Sequence, residues 1–121
     1  MLLEIDPDII FLHHLGSKKV PNDFYNDPIF ADMKAVKNRR IYKVPIGAAA
    51  GWDGPSQERG LALEWFTRVT QGHDFLDGSL RASIKALFPG LYGQTVSDEQ
   101  IDRMLSVDLN GGSSDYDKLA K

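Results

Sequence analysis

The chain has 121 residues, room for one domain built around one modest core. Fourteen basic and seventeen acidic residues give a net charge of −3 without any basic block, so no nucleic-acid partner is expected. Cysteine is absent, which excludes disulfides, thiolate metal sites and a cysteine nucleophile, and no apolar run approaches the roughly 18 residues that a membrane helix needs.

Leu2-Leu3-Glu4-Ile5 fits the last turn of a helix, broken by Asp6-Pro7 because a residue before proline is pushed out of the α region. An opening this close to a strand suggests the interior of a longer chain. Ile9-Ile10-Phe11-Leu12-His13 is a continuous apolar run of strand length, as in a strand buried on both faces. It ends in His13-His14-Leu15-Gly16-Ser17. Val20 to Asn26 reads as loop, after which Asp27-Pro28 supplies a cap and a first-turn proline. Ile29, Met33 and Val36 continue at helical spacing toward Asn38, a plausible left-handed stop.

Ile41-Tyr42-Lys43-Val44 is the second strand. It empties into a loop from Pro45 to Pro55 rich in glycine and alanine, whose backbone can approach a ligand closely. Ser56 or a neighbour opens a helix to Thr70, with Leu61, Ala62, Trp65, Phe66 and Val69 on its apolar face. Leu80, Ile84, Leu87 and Phe88 mark a further helix that Pro89-Gly90 should stop. Ser97-Asp98-Glu99-Gln100 fits a capping box ahead of Ile101, Met104 and Leu105. Residues 107–121 read as a mobile polar tail. The pattern is α/β: a small, mostly parallel sheet with flanking helices. Two strands make a thin sheet, so either a third hides in the loops or something outside the chain completes it.

The segments that carry chemistry sit where ligands are met in parallel sheets, outside the carboxyl ends of the strands. His13 and His14 are adjacent on extended backbone and point to opposite faces, so they do not suit one shared metal ion. Either could line a cleft, or pack structurally at the strand end. Trp52 lies in a glycine-flanked loop and fits either an aromatic anchor for a ligand or a lid folded over the core. Asp53 and Glu58 flank a helix start, where an acid suits the dipole and where a surface acid can also pair with a partner's arginine. No hydrolase elbow, zinc helix or phosphate-binding loop is present, so catalysis is the weaker reading.

Asp27 through Pro45, a short helix ending Ala35-Val36-Lys37-Asn38 and then Ile41-Tyr42-Lys43-Val44-Pro45, resembles a recognisable stretch of the ABC-transporter substrate-binding proteins for iron–siderophore, haem and corrinoid uptake. Trp52 to Glu58 is similar to that family's Trp-x-x-Pro-Ser-x-Glu, and Leu91-Tyr92-Gly93 with Ser97-Asp98-Glu99 to its late element. Arg39 departs from the pattern, where glycine is usual. The matches keep their order and imply that residues 1–106 form the C-terminal lobe of a bilobal protein with a rigid helical backbone, short of its opening strand and helix.

The resemblance implies a periplasmic or extracytoplasmic location and no catalytic residues or cofactor. The ligand would be a metal chelate (ferric siderophore, haem or corrinoid) held at a cleft by His13, His14 and Trp52. Asp53, or else Glu58, would dock onto arginines of the permease subunits. Self-association through surface exposed by the missing lobe is also expected. The alternative is a small enzyme or sensor domain using His13 or His14.

Overall fold

The isoleucine-led runs pair as parallel strands. The computed structural model describes residues 2–14, 17–48 and 51–121, so parts of the two expected strand-end loops, at 15–16 and 49–50, lie outside the described residues. After a short α1 (Leu2–Ile5), β1 spans Ile10–Leu12 and β2 spans Ile41–Lys43, with Phe11 opposite Tyr42. Alternation along each strand sends side chains to two cores. Ile10, Leu12 and Ile41 pack with Phe24, Met33 and Ala35 on one face. Phe11 and Tyr42 pack with Trp65, Leu61, Ile84 and Leu105 on the other. The fold is therefore α/β, a two-stranded parallel sheet between helices.

The crossover between the strands, which parallel pairing requires, is more helical than its composition suggests. Val20 to Asn26, expected as loop, contains α2 (Pro21–Tyr25), begun by a first-turn proline and by Asp23 accepting from the Val20 amide at 2.8 Å. The single helix expected after Asp27 is instead a 3₁₀ turn, Pro28–Phe30, followed by α3 (Lys34–Lys37). Long-range acceptors explain the restart. The Lys34 amide donates to the Asp6 carboxylate at 2.9 Å and the Ala35 amide to the Pro7 carbonyl at 3.2 Å.

The left-handed position falls on Arg39, with φ 53°, rather than on Asn38. The Arg39 guanidinium lies 4.9 Å from the centre of the Tyr25 ring.

On the other face, α4 (Arg59–Gln71) buries the apolar stripe that its spacing foretold. Arg68 on that helix is also buried. It pairs with Glu64 at 2.9 Å and donates to the carbonyls of His73, Leu76 and Asp77, which fixes the turn into α5. α5 (Leu80–Tyr92) opens on a Ser79 cap and runs through Pro89 to end at Gly93 with φ 70°. The proline removes one bond near the helix end without stopping it. The capping box at Ser97 and Gln100 forms as expected and begins α6 (Asp98–Met104).

Residues 107–121 correct the expectation of a mobile tail. They form α7 (Val107–Asn110) and α8 (Tyr116–Leu119), and Tyr116, Leu119 and Ala120 complete the core around Trp65. The Trp65 indole donates to the Tyr116 hydroxyl at 3.0 Å, and that hydroxyl donates to the Leu105 carbonyl.

The same segment closes one edge of the sheet. The Lys43 amide donates to Asn110 Oδ1 at 2.7 Å, and Asn110 Nδ2 donates back to the Lys43 carbonyl at 2.9 Å. One residue-pair along, the Ile41 amide donates to the Tyr25 hydroxyl at 3.0 Å, and Ser113 Oγ donates to the Ile41 carbonyl at 2.5 Å. Side chains thus occupy the positions a third strand would take.

Candidate functional site

Because β1 and β2 run parallel, their carboxyl ends open on the same side, and the segments that follow them meet there. Asp53 joins the two. Its carboxylate accepts from His13 Nδ1 at 3.0 Å and from the backbone amide of His14. The histidines therefore share one acid through different atoms, a ring nitrogen and a main-chain N–H. The His13 side chain is 59% exposed and that of Asp53 only 7%. Among the described residues no cluster of three or more His, Cys, Asp or Glu is placed to hold a metal ion.

Gly51 lets the two segments approach. A Cβ built there would lie 2.8 Å from both His14 Cδ2 and Asp53 Oδ1. Gly51→Ala is expected to cost roughly 1–3 kcal/mol through this overpacking. Denaturant midpoints would measure the loss, and displaced His13 and His14 signals in NMR would locate it.

Glu58 fastens the rest of the loop. Its carboxylate accepts from the Ala48 amide at 3.1 Å, from the Trp52 indole at 2.8 Å and from the Tyr92 hydroxyl at the end of α5. The Trp52 amide donates to the Pro45 carbonyl at 3.0 Å, and the Gly47 amide to the Met104 carbonyl at 3.2 Å. The loop is thus closed on itself and tied to the start of α4, to α5 and to α6 at once.

These bonds settle how two expected site residues are placed. Trp52 is 4% exposed and packs in the core, the lid arrangement rather than a projecting anchor. Glu58 is 1% exposed, which corrects its reading as a surface acid available to an arginine. A carboxylate can be buried this deeply when donors replace its water. Asp53 also has its partners within the chain.

Tyr92 has no polar role readable from the sequence, where it stands out only as part of Leu91-Tyr92-Gly93. Burial first, then the hydrogen bond and negative charge of Glu58, push the Tyr92 hydroxyl up to about 12. Burial also raises Tyr25, Tyr42 and Tyr116. The folded chain then holds phenolic protons that the unfolded chain releases near pH 10, so stability is fully present below that pH and falls as pH rises toward 12. Urea midpoints taken across this interval should decline, and Tyr92→Phe should make the decline shallower without removing the part due to the other tyrosines.

Two hollows border the loop. One, of about 430 Å³, lies between Ile46–Ala48 and the α5–α6 turn, with Phe88, Tyr92, Val96 and Met104 in its walls. The other, of about 460 Å³, is formed by Trp52, Asp53, Pro55, Arg59, Leu63 and Phe66.

With this geometry in place, the likeness to a known protein is informative. The chain superposes on the crystal structure of a periplasmic solute binding protein from Veillonella parvula with a TM-score of 0.80 and 31% sequence identity. The match covers 91% of this chain and 34% of that protein, so the chain spans about a third of its length. The chain has the fold of a solute-binding-protein lobe. No protein-family model matches the sequence, and no curated protein does.

Proposed function

We propose that this chain supplies one wall of a solute-binding cleft in a periplasmic or extracytoplasmic protein serving an ABC uptake transporter, and that it binds rather than catalyses. The observation that carries the reading is the shared surface at the carboxyl ends of β1 and β2, where His13, Asp53 and two hollows come together on a solute-binding-protein fold. The ligand class is a metal chelate: a ferric siderophore, haem or a corrinoid. The order of motifs from Asp27 to Glu99, shared with the class III binding proteins with a helical backbone, supports that choice.

His13, exposed beside its acid, is the first of the expected cleft residues to meet a ligand; His14 and Trp52 shape the surface behind it. Docking on the permease would run through Asp53, with an arginine of the transporter displacing the His13 ring. Since β1 has no further strand beside it among the described residues, self-association would use that free side.

The test is a titration of the chain with haem, ferric siderophores and corrinoids, followed by tryptophan fluorescence and by amide NMR. Quenching by one class, with shifts at His13, Asp53 and Trp52 and a loss of response in His13→Ala, is the expected result. No shift at the strand ends with any of them would overturn the chelate reading. One wall supplies part of the contacts, so affinity for this chain alone should be weak.

A further inference from the structure

The hollow between Ile46–Ala48 and the α5–α6 turn has a composition that the other hollows described among these residues lack. Its apolar part is Ile46, Phe88, Val96 and Met104, and the Phe88 and Tyr92 rings lie 4.8 Å apart beside one another. Ile46 keeps 37% of its surface exposed although it follows directly on the buried Val44-Pro45. The polar part is Gln94, Thr95, Gln100 and Arg103, with no carboxylate in the lining. This is uncommon in a chain with seventeen acids. Each of the other three hollows described has at least one aspartate in its wall.

Arg103 supplies the charge. It is exposed, and among the described residues no acid pairs with it. On its own helix, Asp98 is drawn to Arg81 at 3.2 Å and to Lys85 at 2.9 Å, and Asp102 to Arg81, while Glu99, one turn before Arg103 on the same helix, forms no ion pair with it. Asp98 is consequently held below the usual carboxylate range, first by Lys85 and then by Arg81. The walls are also fixed in place. The Gly47 amide is bonded to the Met104 carbonyl at 3.2 Å, and Tyr92 is held from behind by Glu58. At about 430 Å³ the space falls within the range of small-molecule sites.

We propose that this hollow seats an amphipathic anion, its apolar body against Ile46, Phe88, Val96 and Met104 and its acid group on Arg103. The inference rests on the solute-binding reading and narrows its substrate class to solutes that carry a free acidic group beside an apolar or aromatic body. The guanidinium offers a planar fork to a carboxylate or sulfonate, and Gln94, Thr95 and Gln100 can donate further hydrogen bonds. If instead Arg103 served only the negative end of α6, the hollow would show no preference for charge.

The experiment is an amide-NMR titration of the whole chain with naphthoate and with its neutral counterpart naphthalenemethanol, each on the unaltered chain and on Arg103→Gln. The expected result is stronger binding of naphthoate, with shifts at Ile46, Val96 and Met104, a loss of about tenfold in Arg103→Gln, and no change for the neutral probe. Arg103→Lys should recover part of the loss. Equal binding of the two probes, indifference to Arg103→Gln, or naphthoate shifts confined to His13 and Trp52 would each overturn the proposal. Separate arms with the metal chelates keep the two readings apart. Naphthoate seated at Arg103 with no chelate response sustains the hollow and removes the chelate reading. Chelate shifts at the strand ends with nothing at Arg103 do the reverse.

Discussion

Glu58→Ala should destabilise the chain by about 3–5 kcal/mol, a large fraction of the total stability of a domain this size. The substitution does more than remove one bond. Among the described residues three donors converge on this carboxylate: the Trp52 indole, the Ala48 amide and the Tyr92 hydroxyl. Trp52 is 4% exposed, so its N–H has no ready route to water once the acceptor is gone. An unsatisfied buried donor costs roughly 1–3 kcal/mol, and methyl-for-carboxylate replacement also leaves a void behind α4.

Urea unfolding would measure the loss, and tryptophan emission should move to longer wavelength as Trp52 is released. Glu58→Gln separates the contributions. The amide keeps one acceptor but turns an N–H₂ toward groups that themselves donate, so it should recover less than half of the difference. If Glu58→Ala cost under about 1 kcal/mol with unchanged emission, the loop would be held by something other than this carboxylate.

Where the physics was local, the sequence disclosed the outcome. Ile10 to Leu12 and Ile41 to Lys43 are strands because β-branched and large apolar residues fill both faces, and α4 shows its buried stripe at helical spacing. The Ser97–Gln100 capping box lies within four residues and forms as its pattern requires. Where contacts come from far along the chain, no local pattern reports them. The break between the 3₁₀ turn and α3 depends on Asp6 and Pro7, nearly thirty positions away. Arg39 could be flagged as occupying a glycine position, but its φ of 53° is tolerated because its side chain finds the Tyr25 ring and the Gly112 carbonyl.

The site was legible in the same uneven way. The sequence puts His13 and His14 at a strand end, Trp52 in the loop after β2, and Asp53 and Glu58 beside a helix start; the fold bonds Asp53 to both histidines and Glu58 to Trp52. Their roles divided along burial, which sequence composition does not report. Trp52 and Glu58 face inward and satisfy each other, whereas His13 stands out in solvent with Asp53 beside it. A glycine-rich loop leaves room for either outcome. What decides between them is the Tyr92 hydroxyl, contributed from the far end of α5 and closing a polar network around Glu58. Residues 107–121 pack against the sheet for a related reason. Asn110-Gly111-Gly112-Ser113-Ser114 has the composition of a linker, yet two of its polar side chains bond to strand backbone, which no local pattern encodes.

Asn110→Ala is accordingly expected to cost about 3 kcal/mol, and its effect should fall on the sheet rather than on the tail alone. Asn110 is fully buried and uses both ends of its amide on the backbone of one residue of β2, accepting from the Lys43 N–H and donating to the Lys43 carbonyl. It mimics the edge of a neighbouring strand. Without it, two buried backbone groups lose their partners, and the edge can recover them only by admitting water or another chain. Amide exchange at Lys43 should therefore accelerate, and light scattering at high concentration should rise as β2 becomes open to pairing. Asn110→Asp keeps the shape and the acceptor but sets a carboxylate against the Lys43 carbonyl, so it should relieve at most half the loss. If exchange at Lys43 stayed protected in Asn110→Ala, the edge would be covered by packing of α7, and the amide would be incidental. If only α7 and α8 loosened, the last fifteen residues would be a separable appendage. The structure instead makes them the element that terminates the sheet and lets β1 and β2 hold their carboxyl ends, and the surface built on them, in one place.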